Sequence, residues 1–340
     1  MPKTISPPYR VAGLLVSLLA LNACGTGQGA AVDTKLETVT AVVIQGTQMF
    51  PIQVMQDKGI DKKHGFDLEV TPVAGPSALY PAMQDKDFQI GFGVWASNAR
   101  LRDGGVPITN IYSLNQITNE VLVPVNSKIQ SISDLRGKKV GVYGGPGGGS
   151  TTWFRMVTQK LYGFDLLKDT EVIFGSPGIL AGQLASGQLD AALLVEPANI
   201  ELIEKGQARS IGDIGAELAE ETGITPLFVT VTANEDWAAA NPETASNLVA
   251  AMRESVQYIQ DNPDVWEDLG PKVGITSDDG INLLREKAGS AFLLEWNETL
   301  IDEQMKFADM VTETLGESGD FPAAIPNGTF SFDYISEGGS

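Results

Sequence analysis

From Val39 onward the chain follows two rhythms of apolar and polar positions. Runs such as TAVVIQ, FDLEVTPV and FQIGFG have the length and the β-branched or aromatic content of strands. Between them, PIQVMQDKGIDKKHG and SALYPAMQDK repeat apolar residues at helical spacing, and Pro51 suits a first helical turn. Strands alternating with helices predict an α/β fold with a largely parallel sheet. After Ala233 the rhythm turns helical. Asn241 and Pro242 mark a helix start, followed by Leu248, Met252, Val256 and Ile259 on one face. Ile301, Met305, Ala308 and Leu315 make a later stripe, and both stripes predict core faces.

The strand–helix rhythm occurs twice. GFDL at Gly65–Leu68 returns at Gly163–Leu166, each copy read as the end of a helix entering a strand. With Pro76 laid on Pro177, Leu79 falls on Leu180, Met83 on Leu184 and Phe88 on Leu189. Such self-similarity predicts two like lobes. Two extended stretches, NEVLVPVNS (Asn119–Ser127) and ITPLFVTVTA (Ile224–Ala233), read as hinge strands running out and back. The second lobe, 124–228, is then expected as an insertion in a discontinuous first lobe, 37–123 and 229–340.

The amino terminus follows neither rhythm. Lys3 and Arg10 precede an apolar stretch from Val11 to Leu21, too short to span a bilayer as a mature helix and right for a signal peptide. It ends in LNACG, which resembles the lipobox of bacterial lipoproteins, with Asn22 less usual at its place. That resemblance implies a signal peptide over 1–23, cleavage before Cys24 with lipid (palmitate among it) on that residue, and a small, polar, flexible tether over 24–36. The protein would then be exported and held at a membrane surface. An ordinary signal peptide with a stray cysteine is the alternative.

Charge and rare residues narrow the function. The 340 residues carry a formal net charge of -20, which repels nucleic acid and anionic membrane and suits a soluble monomer. The chain has one cysteine and one histidine, His64 in DKKHGFD. Catalysis draws on His, Cys, paired carboxylates or a metal. No second histidine exists for a metal cluster, and His64 reads as a helix-end surface residue. Asp85 and Asp87 around Lys86, and Asp278 with Asp279, read as solvated turn charges. We therefore expect no enzyme, no metal and no cofactor.

The remaining chemistry lies in loops at predicted strand ends. GVYGGPGGGSTTWF, Gly141–Phe154, lacks the lysine of a P-loop, and Ser150 stands where a dinucleotide fingerprint needs its third glycine. Ser150 or Thr151 is expected to cap a helix with the apolar face Trp153, Phe154, Val157 and Leu161, leaving N–H groups and hydroxyls for an anion or another strong acceptor. The alternative is a glycine turn without a ligand. Ligands of parallel sheets bind beyond the C-terminal strand ends. The loops there are Gln45–Gln48, Gly75–Ser77, Trp95–Asn98, Tyr143–Thr151, Gly175–Ser176 and Glu196–Pro197.

DLRGKKVGV, the glycine and hydroxyl loop, and LASGQLDAALLVEP together resemble solute-binding proteins of ABC importers. The resemblance is to the alkanesulfonate, nitrate and taurine type, which shares its fold with thiamine-pyrimidine synthases, and it covers most of residues 36–315. It implies a two-lobe periplasmic-binding-protein fold, type II-like, with two hinge strands, closing over a small solute and delivering it to a permease and an ATPase. Carried onto this chain, the ligand-facing positions are Gln45, Gly46, Thr47, Gly75, Ser77, Trp95, Gly145, Ser150, Thr151 and Glu196. Tyr143 and Ser176 belong to the same loops. The longer glycine run departs from the family.

Glu196 is the informative position. No lysine or arginine lies in these loops, and a carboxylate facing the cleft repels a sulfonate or nitrate unless protonated. It would accept hydrogen bonds from an amine or aminopyrimidine, with Trp95 or Tyr143 stacking on the ring. A glutamate that caps a local turn or pairs with a nearby cation is the alternative. An exported enzyme of the thiamine-pyrimidine-synthase type and a ligand sensor are the rival functions. The cysteine-rich signature of those synthases is missing, and no signalling domain is expected after the lobes.

Overall fold

The structure, a computed structural model, describes residues 36–316 and 321–335. The signal-peptide segment, Cys24 and the expected tether lie outside the described residues. Among the described residues ten strands form two sheets: β1 Glu37–Ile44, β2 Phe66–Val73, β3 Ile90–Val94, β4 Ile108–Gln116, β5 Glu120–Pro124, β6 Lys139–Tyr143, β7 Glu171–Gly175, β8 Ala191–Leu194, β9 Ala208–Asp213 and β10 Leu227–Asn234. One sheet has the order β2-β1-β3-β10-β4 and the other β7-β6-β8-β5-β9, so the two lobes repeat one plan.

In each sheet one strand runs against the rest. β1 pairs in parallel with β2 and β3, while β10 lies antiparallel between β3 and β4. β6 pairs in parallel with β7 and β8, while β5 lies antiparallel between β8 and β9. The antiparallel strand is in both cases the one that arrives from the other lobe. A chain that leaves one sheet at its C-terminal edge enters the facing sheet at that same edge, so it must run backwards. The C-terminal strand ends of the two sheets therefore border the same crossings, where ligands of open α/β sheets bind.

The crossings are shorter than the hinge strands expected from the pattern. β5 belongs to the second sheet along its whole length, ahead of the expected lobe boundary at 124, and β10 starts in the first sheet at Leu227. The sheets change over at 117–119 and 223–226. The Ile117 N–H donates to the Pro226 carbonyl at 3.0 Å, and the Ile214 N–H donates to the Asn119 carbonyl at 3.0 Å.

The repeated residues occupy matching places. Leu79 and Leu180 are fully buried in the helices Pro76–Ala82 and Pro177–Ala185, and Met83 with Phe88 and Leu184 with Leu189 are buried beside them. The GFDL copies differ. The first opens β2 at Phe66, whereas the second opens the short helix Leu166–Asp169, capped by the Asp165 carboxylate, before β7. Asp165 accepts from the Leu167 N–H, and this local bond delays the strand.

The helix Pro242–Asp261 buries Leu248, Met252, Val256 and Ile259 as the spacing predicts. The helix Glu298–Leu315 buries Leu300, Ile301, Gln304, Phe307, Ala308 and Val311, leaving Met305 and Leu315 only part-buried. A polar residue turns that face: the Gln304 side chain accepts from the Leu227 N–H at 3.0 Å and donates to the Thr225 carbonyl at 2.9 Å. It thereby ties the helix to the second crossing. Residues 321–335 run beside β4, where Asn110 exchanges backbone hydrogen bonds with Thr329 and Ser331 and covers a sheet edge. No helix among the described residues is long and apolar enough to cross a membrane.

Candidate functional site

At the end of β6, Gly144 adopts φ 92°, a left-handed turn that glycine adopts without steric cost. The chain then passes through Gly145 into the helix Gly149–Met156. Neither hydroxyl caps this helix, contrary to the expectation, because both lie inside its first turn and Gly148 is the cap residue. Thr151, fully buried, donates its hydroxyl to the Gly145 carbonyl at 2.7 Å and so braces the loop. Ser150 accepts a hydrogen bond from the Asn119 side-chain amide at 3.0 Å, and the Tyr143 hydroxyl accepts the other Asn119 proton at 3.0 Å.

Asn119 escaped the sequence reading because it sits in a stretch that looks like plain strand. Its position on the first crossing lets it hold two loop hydroxyls at once. Burial pushes the Tyr143 phenol up to about 12, with Glu196 and Tyr80 adding to the shift and hydrogen bonds from Ser150 and Asn119 opposing it. Tyr143 therefore stays a neutral hydroxyl near pH 7. Tyr80 belongs to the helix Pro76–Ala82 of the first lobe, so an electrostatic influence reaches Tyr143 from that lobe.

The other expected loops lie at the C-terminal strand ends. The Gln45 N–H donates to the Val73 carbonyl, Gly46 starts the turn Thr47–Met49, and Gly75 precedes the helix that carries exposed Ser77. Ser176, exposed, precedes the helix Pro177–Ala185 in the second lobe. Trp95 departs from expectation. Its ring has no exposed surface, its indole N–H donates to the Leu227 carbonyl at 3.0 Å, and Phe321 and Phe330 pack on it with ring centres 5.1 and 5.4 Å away. It is a core residue of the first lobe, sealed by a segment far along the chain, and presents no face to a solute here.

Glu196, at the end of β8, is 8% exposed, and the nearby Glu120 of β5 is 5% exposed. Asn199 donates to Glu120 Oε2 at 2.8 Å and to Glu196 Oε1 at 3.1 Å. Lys287 Nζ, from the helix Asp278–Gly289, donates to Glu120 Oε1 at 2.6 Å. Burial pushes the Glu196 carboxyl up to about 7, and the negative charges of Glu120 and Asp213 add to it. Burial likewise pushes Asp213 up to about 6, with Glu120 adding and Lys287 opposing.

An acid with a raised folded-state pKa holds its proton better when folded. Its contribution to stability is full below the unfolded pKa and is lost as pH rises through the folded one. For Glu196 that window runs from about 4.5 to about 7. Glu196→Gln, which cannot ionise, is expected to melt above the parent protein at pH 8, by the equivalent of up to roughly 3 kcal/mol. The gain should vanish toward about pH 4.5. Melting curves across this range check it, and a pH-independent difference would contradict the burial of an ionising Glu196.

The features that would serve catalysis lie elsewhere. His64 ends the helix Ile60–Lys63, and its Nε2 lies 2.8 Å from Glu254 Oε2, beside Lys63. Asp85 accepts from the Asp87 N–H in an exposed turn. Asp278 and Asp279 open a helix capped by Ser277 rather than standing in a turn. Among the described residues, no three His, Cys, Asp or Glu side chains are grouped to hold a metal ion.

Two five-stranded lobes of like topology, joined by two crossings, define the fold of the periplasmic binding proteins. The chain belongs to the NMT1/THI5-like family, whose model matches residues 46–265, more than half of the chain. Among solved structures it is similar to the alkanesulfonate-binding protein SsuA from Xanthomonas axonopodis pv. citri bound to MOPS. That match has TM-score 0.68 and 14% identity, over 88% of this chain and 98% of that one. It is similar also to the periplasmic aliphatic sulphonate binding protein SsuA from Escherichia coli, with TM-score 0.66 and 13% identity, over 82% and 93%. A Brucella abortus protein named only as a binding protein is 26% identical over 64% of this chain, and the match spans 66% of that protein's length. A 4-amino-5-hydroxymethyl-2-methylpyrimidine phosphate synthase of Aspergillus parasiticus is 24% identical over 66% of this chain and 68% of its own.

Proposed function

We propose that this protein captures a small solute between its lobes outside the cytoplasm and delivers it to an ABC importer, and that the solute is an amino-bearing heterocycle. The fold and the names of its structural neighbours support a carrier. The anchor would be the lipidated Cys24. The ligand class rests on one observation, the buried carboxylate of Glu196 at a strand end, with Glu120 and Asp213 near it and Lys287 committed to Glu120. An amino group donates to such a carboxylate, whereas a sulfonate meets its charge. The phenol of Tyr143 and the hydroxyl of Ser150 supply the polar groups facing the ring. The name of the Aspergillus relative fits pyrimidine chemistry, and the names of the SsuA proteins favour the rival sulfonate reading.

Thermal shift and calorimetry separate the two, with taurine, alkanesulfonates, nitrate and 4-amino-5-hydroxymethyl-2-methylpyrimidine as probes. The pyrimidine is expected to raise the melting temperature and to stay unconsumed. Its affinity should increase as Glu196 ionises between about pH 6 and pH 8, whereas a sulfonate would bind better toward low pH. Glu196→Gln should weaken the pyrimidine by about tenfold or more, the loss of a charge-assisted hydrogen bond. Equal or tighter binding by that variant would remove the amine reading, and turnover of the probe would remove the carrier reading.

A further inference from the structure

Lys287 reaches the second lobe from the first. The helix Asp278–Gly289 is anchored at its end to β4, where the Gln116 N–H donates to the Ala291 carbonyl at 2.9 Å and the Gln116 side chain donates to the Ser290 carbonyl at 3.0 Å. Its start meets the second lobe, where the Ser277 hydroxyl bonds the Glu204 carboxylate. Between these ends the Lys287 ammonium donates to one oxygen of Glu120, and both partners are largely shielded from water, at 20% and 7% side-chain exposure. The other Glu120 oxygen accepts from Asn199, whose second proton goes to Glu196. The Asn199 oxygen accepts from the Ile200 N–H at 2.8 Å, so the amide cannot turn over without losing that bond.

We propose that Lys287 is a positioning residue that sets the charge and orientation of Glu196 from the opposite lobe, through Glu120 and Asn199. The relay deepens the solute-binding reading of Glu196 and rests on it only for the ligand. The charged and titratable groups around Glu196 are Glu120, Asp213, Tyr143 and, through Glu120, Lys287. With Lys287 docked, its charge compensates Glu120, and Asn199 can hold Glu196 as an ionised acceptor. With Lys287 withdrawn, Asn199 serves two buried carboxylates, and the uncompensated charge of Glu120 favours the protonated form of Glu196. Docking of the first-lobe helix thus prepares the second-lobe carboxylate for an amino group, which couples closure to recognition.

The test uses carboxyl carbon NMR titration of the ligand-free protein, the Glu196 resonance being the one absent from Glu196→Gln. Lys287→Met is expected to raise the Glu196 midpoint by about one pH unit or more, and Lys287→Arg to leave it near the parent value. Glu120→Gln in the Lys287→Met background should bring it back down, because the uncompensated charge is gone. Calorimetry with 4-amino-5-hydroxymethyl-2-methylpyrimidine at neutral pH should show about tenfold weaker binding for Lys287→Met and recovery in the double variant, with the pH profile displaced alongside the NMR midpoint. A merely structural Lys287 would lower the melting temperature and leave the midpoint unmoved, which would overturn the proposal. Should Lys287→Met fail to fold, the double variant carries the test, and a Glu196 midpoint in it well above the parent value would also overturn the proposal. If the midpoints move as stated and no variant binds the pyrimidine, the relay holds and the ligand assignment falls.

Discussion

Gly215→Ala is expected to cost at least about 4 kcal/mol, or a fall of about 10 °C in melting temperature. Gly215 is the second residue of the helix Ile214–Thr222, which starts against the first crossing. A Cβ built there would lie 1.9 Å from the Ile117 carbonyl oxygen and 2.8 Å from the Ile117 side chain. The obstacle is backbone, so no rotamer change relieves it. The crossing itself is held by Ile117 bonded to Pro226 and Asn119 bonded to Ile214, and fitting the methyl group means parting those contacts. Gly182→Ala is the control, because that glycine lies in the helix Pro177–Ala185 with open space around its Cβ direction. There alanine should be neutral or stabilise by up to about 1 kcal/mol through helix propensity. Equal melting temperatures for Gly215→Ala and the parent would show that the crossing yields enough to admit a methyl group.

Trp153→Ala carries the second large effect, a loss of about 3–5 kcal/mol. Trp153 has no exposed surface and leaves the second lobe to pack among three rings of the first-lobe body. Its ring centre lies 6.0 Å from Phe228 of β10, 5.2 Å from Phe307 of the helix Glu298–Leu315 and 5.5 Å from Phe321, the last nearly parallel at 24°. This cluster joins the lobes beside the crossings. The indole N–H has no acceptor among the described residues, so Trp153→Phe forfeits volume and no hydrogen bond seen there. That variant should lose only about 1–2 kcal/mol. Chemical denaturation of the two variants checks the order, and an alanine variant within about 1 kcal/mol of the parent would mean that the cluster adds little to holding the lobes together.

These two residues show how far the pattern of the chain reaches. Trp153 was legible as one face of a helix after a glycine loop, since Trp153, Phe154 and Val157 are all buried. Its partners were not, because Phe307 and Phe321 lie more than 150 positions away. The same distance misled the reading of Trp95. An aromatic residue at a strand end resembles a stacking platform until Phe321 and Phe330 return to cover it. Glu196 could be singled out because it follows an apolar strand directly. Lys287 could not, because its partner Glu120 stands 167 positions earlier.

The turn chemistry shows the same division at short range. The loop after β6 was placed correctly, yet the capping role fell to Gly148, because Thr151 bonds back to Gly145 and Asn119 engages Ser150. Side chains that can bond either to their own turn or across the molecule go where burial brings a partner.

Periodicity, glycine turns and internal repetition, all properties of neighbours along the chain, were enough by themselves to define an α/β chain with two similar halves and loops gathered at strand ends. The tertiary structure alone decided which strand in each sheet runs backwards, which aromatic rings are sealed, and that a lysine of one lobe compensates a buried carboxylate of the other. Those outcomes depend on groups brought together by the burial of whole lobes. The strength of a buried charge pair or a packed ring follows from its surroundings in space, and no local pattern of residues records them.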